Sequence, residues 1–519
     1  MCEKRTLQYA FHSILFERPE DRLGDDTLEA PDFFGDLNCN QIVDDITAAK
    51  GEYNLKPFFY APLCRVDAIK YRHEVMQDLE NALLFERVNA FARKMQEMRR
   101  HLAKKLYYEE EKQIWFLEAV EVYCDAVNSF ADDLFKSVLK SRGFVGFRDY
   151  LKGYTTSVHF TSLFSETKKL KADLSAIRYC VLINTEKGRF TVRKYEAQLD
   201  YSMEIEETFA KFRQGAVEDY KVKSRMSDDM SHIEAKILEF VAKLHPDVFV
   251  HLDEYYSKNI NYIDETIAAF DREVQFYIAY LDYAAVLKRA GLHFCYPHIS
   301  DKSKEVYDYD GFDIALAHKL IRERKSVVCN DFHLKGKERF LIVTGPNQGG
   351  KTTFARAFGQ LHYLASIGCP VPGSRAQLFL FDKLFTHFER IEKVENLRGK
   401  LEDDLVRIHG ILSQATSRSI IVMDEIFNST TLHDEIFLST KLMERISEMD
   451  VLCVWVTFVD ELASFGPQTV SMVSVVDPEN PVFRTFKIVR RPADGLAYAM
   501  AIAHKYRLNY DSIKERIKG

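Results

Sequence analysis

The run Gly345, Pro346, Asn347, Gln348, Gly349, Gly350, Lys351, Thr352 has the spacing GxxxxGK[ST] and constrains this chain more than any other feature of its sequence. It follows the apolar stretch FLIVT at 340–344 and precedes TFARAFGQLHYLA, a helix-forming segment, so it reads as a tight passage from a buried strand into a helix. A nucleoside triphosphate carries its negative charge on closely spaced oxygens. Glycines let backbone N–H groups approach those oxygens, and the helix N-terminus adds partial positive charge. On this reading Gly345 through Thr353 cradle a nucleotide, Lys351 reaches the β- and γ-phosphates, and Thr352 offers its hydroxyl to Mg²⁺.

A second run supplies the acids that such chemistry requires. Ile420, Ile421, Val422 and Met423 lead into Asp424 and Glu425, the form of a buried strand that delivers two carboxylates at its C-terminal end. Asp424 is expected to hold Mg²⁺ through water, and Glu425 to polarise the water that attacks the γ-phosphate. Together with VLCVWVT at 451–457, these β-rich runs alternate with helical segments, as in an α/β domain with a largely parallel buried sheet. Upstream, residues 65–171 show apolar positions three and four apart and few breakers, which predicts long amphipathic helices. The segment YCVLINTEKGRFTVRKY at 179–195 predicts a hairpin turning at Thr185–Gly188, after which helical periodicity runs from Tyr201 to about Ala290, long enough for lever-like helices.

Composition sets the outer limits. A chain of 519 residues exceeds one ordinary core, and 46% hydrophobic residues with only 22 Gly and 13 Pro describe a packed, mainly helical protein of two or more domains. The net charge of −7 gives no general attraction to nucleic acid, so DNA contact needs a local basic surface or an enclosing shape. Lys187, Arg189, Arg193 and Lys194 on the hairpin could touch DNA phosphates, or could serve solubility and edge protection. The nine cysteines form no CxxC pair, which argues against structural zinc and a disulfide framework and fits a reducing, cytoplasmic setting. No apolar run approaches the roughly 18 residues of a membrane span, and the short, broken apolar stretch at the start is not expected to act as a secretory signal.

TGPNQGGKTTF, YLASIGCPVPGSRAQLFLFDKLFTHF and VMDEIFNSTTLHDE resemble the corresponding elements of the MutS family of DNA mismatch-repair ATPases, within the ABC superclass of P-loop proteins. Asn347 matches the family's asparagine after Gly-Pro, and Asp434 the terminal acid of its D-loop. The tail DGLAYAMAIAHKYRLNYDSIKERI is similar to the family's dimer-spanning helical element, and PLCRVDAIKYRHEVMQDL more weakly to the start of its core domain. The resemblance implies an N-terminal segment (1–54) and a mainly α-helical core and lever domain (55–305) with a small β-hairpin insertion at about 175–200. It further implies an α/β P-loop ABC-type ATPase domain (306–493) and a helical dimerisation element (494–519). ATP and Mg²⁺ would be the cofactors of a DNA-binding homodimer acting in DNA repair or recombination.

Departures from the family pattern shape the expected activity. Core-like sequence begins near residue 55, which leaves no room for the family's mismatch-reading and connector domains, so direct mismatch reading is not expected. With the sequence ending at Gly519, the nuclease-like extension linked to the family is not expected. In the signature region Gly399 and Lys400 stand where the family has Ser-Thr; Arg398 or Lys400 could supply a cation to the partner's nucleotide, or the turn could be a solvated basic one. Phe458 replaces the family's switch histidine and can neither bond a phosphate nor carry a proton, which implies slow hydrolysis or sensing by another group. Val327 aligns with the family's adenine-stacking aromatic; Phe332 is near enough to substitute, or is a core residue. Two other classes stand beside the ATPase reading: a nucleotide-gated interaction scaffold with little turnover, and a small-molecule kinase that would share only the phosphate loop.

Overall fold

The computed structural model describes residues 11–21, 29–184, 189–196, 232–389, 399–477 and 484–493, with Tyr510, Ile513, Lys514 and Arg516. The chain divides into two compact units, one drawn from 1–81, 140–146 and 269–519, the other from 82–139 and 147–268. Among the described residues no helix is long and apolar enough to cross a membrane.

The second unit is helical, with Ala82–Leu102, Glu109–Phe135, Val158–Ala176, His232–Leu244 and Pro246–Asn259 as its main elements. Helix Glu109–Phe135 shows why: Phe116, Val120, Tyr123, Val127, Phe130 and Leu134 recur at three- and four-residue steps and are all buried. Glu109, Glu110 and Glu111 occupy its first turn, where the helix dipole favours negative charge. The expected hairpin is present: Tyr179–Asn184 pairs antiparallel with Arg189–Lys194. Lys187 and the turn lie outside the described residues, as does 201–231 of the expected lever. From 232 onward the helical run breaks at His245, ahead of the proline that begins the next helix.

In the first unit a six-stranded sheet comprises β1 (Phe340–Thr344), β2 (Leu384–His387), β3 (Ile420–Asp424), β4 (Leu452–Val456), β5 (Thr469–Val476) and β6 (Arg484–Arg490), in the order β2-β3-β4-β1-β5-β6. Every neighbouring pair is parallel except β5 and β6. All residues of β1, β3 and β4 are buried, because both faces of the sheet are covered, and this is why they read as unbroken apolar runs. Helices α2 (Lys351–Ser366), α3 (Lys400–Gln414) and α4 (Leu432–Glu448) follow β1, precede β3 and follow β3. A four-stranded sheet of His298–Ser300, Arg375–Phe379, Val306–Gly311 and Asn330–Leu334, neighbours in that order, completes the α/β part.

Residues within 11–21 and 29–81 of this unit, including α1 (Val66–Leu79), hold the far end of α2. Arg72 of α1 is fully buried and lies between the rings of Phe16 and Phe276, 5.1 and 5.0 Å from their centroids. It donates to the carbonyls of Leu15 (3.2 Å) and Ile367 (2.7 Å). Ile367 caps α2, so the guanidinium sits where the helix leaves carbonyls unsatisfied and the dipole favours a cation. Gly368 follows with φ 75°, and a Cβ there would stand 2.8 Å from the Arg72 side chain. Arg72→Met should therefore destabilise the protein by about 2–4 kcal/mol in urea unfolding, since two buried carbonyls lose their donor. A change below about 0.5 kcal/mol would contradict this role.

Asp308, in the four-stranded sheet, is also fully buried, and Cβ atoms built on Gly311 and Gly373 would fall 1.9 and 2.3 Å from its carboxyl oxygens. Burial, reinforced by Asp331 and Asp310, holds its carboxyl well above the usual carboxylate range. A folded-state pKa above the unfolded one means that this group's stabilisation is full at low pH and is lost as pH rises through the elevated value. The stability of Asp308→Asn relative to wild type should thus increase between about pH 4 and pH 8. A difference that stays flat across that range would show that the carboxyl is not held protonated.

Candidate active site

The turn from β1 into α2 is built from unusual backbone angles: φ is 120° at Gly345, 59° at Gln348 and 91° at Gly350. In the parallel register Val473 of β5 stands opposite Thr344, which puts Ser474 level with Gly345. A Cβ on Gly345 would meet the Ser474 Cβ at 2.9 Å, and one on Gly349 would meet the Ser474 hydroxyl at 2.3 Å. Glycine at these two positions is a packing requirement of the strand beside the loop. The Ser474 hydroxyl donates to the Gly349 carbonyl at 2.8 Å.

Lys351 opens α2 and is only 3% exposed. Its Nζ donates to the Pro346 carbonyl at 3.2 Å, lies 3.5 Å from Glu425 Oε1, and stands 4.3 Å from the centroid of the Phe458 ring. Burial lowers the ammonium's pKa, and Glu425 works against that shift. Thr352, next along, donates from Oγ1 to Asp424 Oδ1 at 3.0 Å. Asp424 closes β3, and burial pushes its carboxyl up to about 6 despite the Thr352 hydrogen bond; the neighbouring Glu425 charge adds to the rise. Glu425 then turns with φ 50°, while its N–H donates to the Val456 carbonyl of β4 at 2.9 Å. A left-handed non-glycine residue at a strand end marks stored strain that a functional site can use.

Thr352 and Asp424 thus present two oxygen donors to one point. Among the described residues no group of three or more His, Cys, Asp or Glu side chains could hold a metal ion. Two protein oxygens nevertheless suit Mg²⁺, which takes few protein ligands and completes its octahedron with water and substrate phosphate. Beside them opens a cavity of about 760 Å³ lined by residues 347–353 and by Leu316, Leu320, Val327, Val328 and Phe486. Its size and mixed walls fit a small-molecule ligand.

The other residues named from the sequence lie outside this cavity or along its wall. Phe332 is a core residue: it is buried, with its ring 6.2 Å from Phe354 and 5.0 Å from Phe358. The aromatic that lines the cavity is Phe486 of β6, with Val327 as an aliphatic wall. Asn330 pins that strand by donating to the Phe486 carbonyl (3.2 Å) and accepting from the Ile488 N–H (2.8 Å). Gly399 caps α3, and Lys400 pairs with Glu389; neither lines the cavity, and Arg398 lies outside the described residues. Asp434 completes the N-terminal cap of α4, exchanging hydrogen bonds with Thr431. Arg193 and Lys194 are exposed on the hairpin, which also contains Arg189. Sequence reasoning missed Ser474, Phe486 and Arg484, whose Nε donates to the Asn347 carbonyl at 3.2 Å, because none belongs to a spaced motif.

Residues 341–510 match the family model for MutS domain V. Similar curated proteins include the DNA mismatch repair protein MutS of Orientia tsutsugamushi (strain Boryong), 27% identical over 208 residues, which cover 39% of this chain and 23% of that protein. The DNA mismatch repair protein MutS of Zymomonas mobilis is 33% identical over 144 residues, 28% of this chain and 17% of that protein. That of Thermotoga maritima is 27% identical over 208 residues, 39% of this chain and 26% of its own length. The matched region therefore spans 17–26% of these relatives. Residues 341–510 are thus similar to MutS domain V, and the mixed α/β sheets of this part of the chain, with a helical region before it, are consistent with that similarity.

Proposed function

We propose that the chain binds ATP with Mg²⁺ in this cavity and hydrolyses it slowly, as part of a MutS-like, DNA-binding homodimer that serves DNA repair or recombination without reading mismatches directly. The observation that carries the reading is that Lys351, Thr352 and Glu425 line one cavity while Asp424, at the end of a separate strand, accepts from the Thr352 hydroxyl. The N–H groups of residues 347–352 and the Lys351 ammonium hold the β- and γ-phosphates. Thr352 and Asp424 would hold Mg²⁺, which would screen the phosphate charge. Glu425, whose Oε1 lies 3.5 Å from the Lys351 ammonium, would orient the attacking water. The water oxygen bonds to the γ-phosphorus as the bond to the bridging oxygen of ADP breaks. Phe486 and Val327 offer the base its apolar walls.

Dimerisation would bring the partner's Gly399–Lys400 turn to this site. Exposed Leu432 and Phe437 on α4 support an apolar contact there. Exposed Arg193 and Lys194 support DNA phosphate contacts from the hairpin. A second reading, a nucleotide-gated scaffold with little turnover, is favoured by one observation: the Phe458 ring, which can take no proton, lies against Lys351.

Glu425→Gln separates the two readings. In the ATPase, the variant should keep ATP affinity within about twofold and slow phosphate release by about a hundredfold or more. Unhydrolysed ATP should then prolong an ATP-dependent dimer seen by light scattering. A wild-type rate indistinguishable from that of the variant would replace the ATPase with the scaffold.

A further inference from the structure

A loop that binds phosphate has to keep its carbonyl oxygens away from the anion while presenting its N–H groups, because a carbonyl dipole repels what an amide dipole attracts. In this loop three carbonyls are tied. That of Pro346 accepts from the Gly349 N–H (3.3 Å) and from Lys351 Nζ (3.2 Å). That of Asn347 accepts from Arg484 (3.2 Å). The carbonyl of Gly349, the residue just before the Gly350 cap of α2, accepts from the hydroxyl of Ser474 (2.8 Å).

Ser474 is suited to that task by its place in the sheet. It is fully buried, so its hydroxyl has to find a partner inside the protein. It stands level with the first loop glycine, and the pairing of β5 with β6 shifts register between Ser474 and Val476. Irregularities of this kind re-aim a side chain beside a functional site. The described chain contains no cis peptide bond, so the N–H of Gly350 points opposite to the carbonyl of Gly349. Holding that carbonyl on β5 turns the Gly350 N–H away from β5, at a residue that lines the cavity. The approach is close: a side chain on Gly349 would overlap the serine hydroxyl.

We propose that Ser474 is a positioning residue for the nucleotide: its hydrogen bond to the Gly349 carbonyl fixes the Gly349–Gly350 peptide so that the Gly350 N–H meets a phosphate of the bound triphosphate. This rests on the nucleotide-binding reading above. The serine touches no substrate and acts through the backbone alone.

The test is ATP·Mg²⁺ affinity, by calorimetry, of wild type, Ser474→Ala and Ser474→Cys, together with steady-state phosphate release and thermal unfolding. Ser474→Ala should weaken ATP binding about five- to thirtyfold, as for one hydrogen bond aligned with a charged group. KM should rise by the same factor while kcat moves less than about twofold, because the loop holds ground state and transition state alike. The thermal midpoint should fall by no more than a few degrees. Ser474→Cys, which keeps a weaker donor of similar size, should lie between the two. Unchanged affinity in Ser474→Ala, or a loss in kcat at constant KM, overturns the inference and leaves nucleotide binding standing. An affinity loss that Ser474→Cys does not relieve, at a midpoint lowered equally in both variants, also overturns it, since packing would then be the cause. Wild type that binds no ATP overturns the underlying reading, and the inference with it.

Discussion

An ammonium group that is almost out of water cannot stand without counter-charge, and Lys351 is in that position. Its partners come from the C-terminal ends of separate strands: the loop after β1 supplies the Pro346 carbonyl, β3 leads into Glu425, and β4 is followed by Phe458. Only a parallel arrangement of β3, β4 and β1 brings three such ends to one edge of a sheet. The continuous apolar runs that bury these strands are therefore what places a cation, a carboxylate and an aromatic ring within a few ångströms of one another. The left-handed turn at Glu425 fits the same account, as the backbone strain needed to aim a carboxylate back over the loop.

Helix α2 links this edge to the rest of the unit and is held by a buried cation at each end. Lys351 sits at its N-terminus, where the dipole is unfavourable to positive charge and Glu425 and the Pro346 carbonyl offset it. Arg72 sits at its C-terminus, where the dipole is favourable and backbone carbonyls suffice as partners. Tyr363 of α2 donates to the Phe59 carbonyl (2.7 Å), and the Leu63 N–H donates to the Ser366 carbonyl (2.8 Å), so residues before α1 also bind the helix. The N-terminal part of the chain thus fixes one end of the element whose other end carries the candidate chemistry.

The legible parts of this structure are those whose physics is local. FLIVT, IIVMD and LCVWV read as strands because a strand covered on both faces needs an apolar residue at every position. The loop was legible because glycines and a lysine at fixed spacing have few other uses. Ser474 and Phe486 were not, because a serine within SMVSVV or a phenylalanine within RTFKIVR acquires meaning only from which strand lies beside the loop, and strand order is not written in the local sequence. Phe332 illustrates the same limit, since its local sequence allows both a base-stacking ring and a core residue, and only the packing against Phe358 decides for the core. The strands Phe294–Cys295 and His298–Ser300 are too short to carry a pattern, and Val306–Gly311 reverses the usual one, burying Asp308 and exposing Tyr309.

The central claim is that Lys351, held in a nearly closed site, exists to receive the phosphates of ATP. Calorimetric titration of ATP·Mg²⁺ into wild type and into Lys351→Ala tests it most directly. Saturable binding of one ATP per chain in wild type, with no measurable heat of binding in a variant that still folds, is the result the account predicts. Undiminished ATP affinity in Lys351→Ala would contradict it.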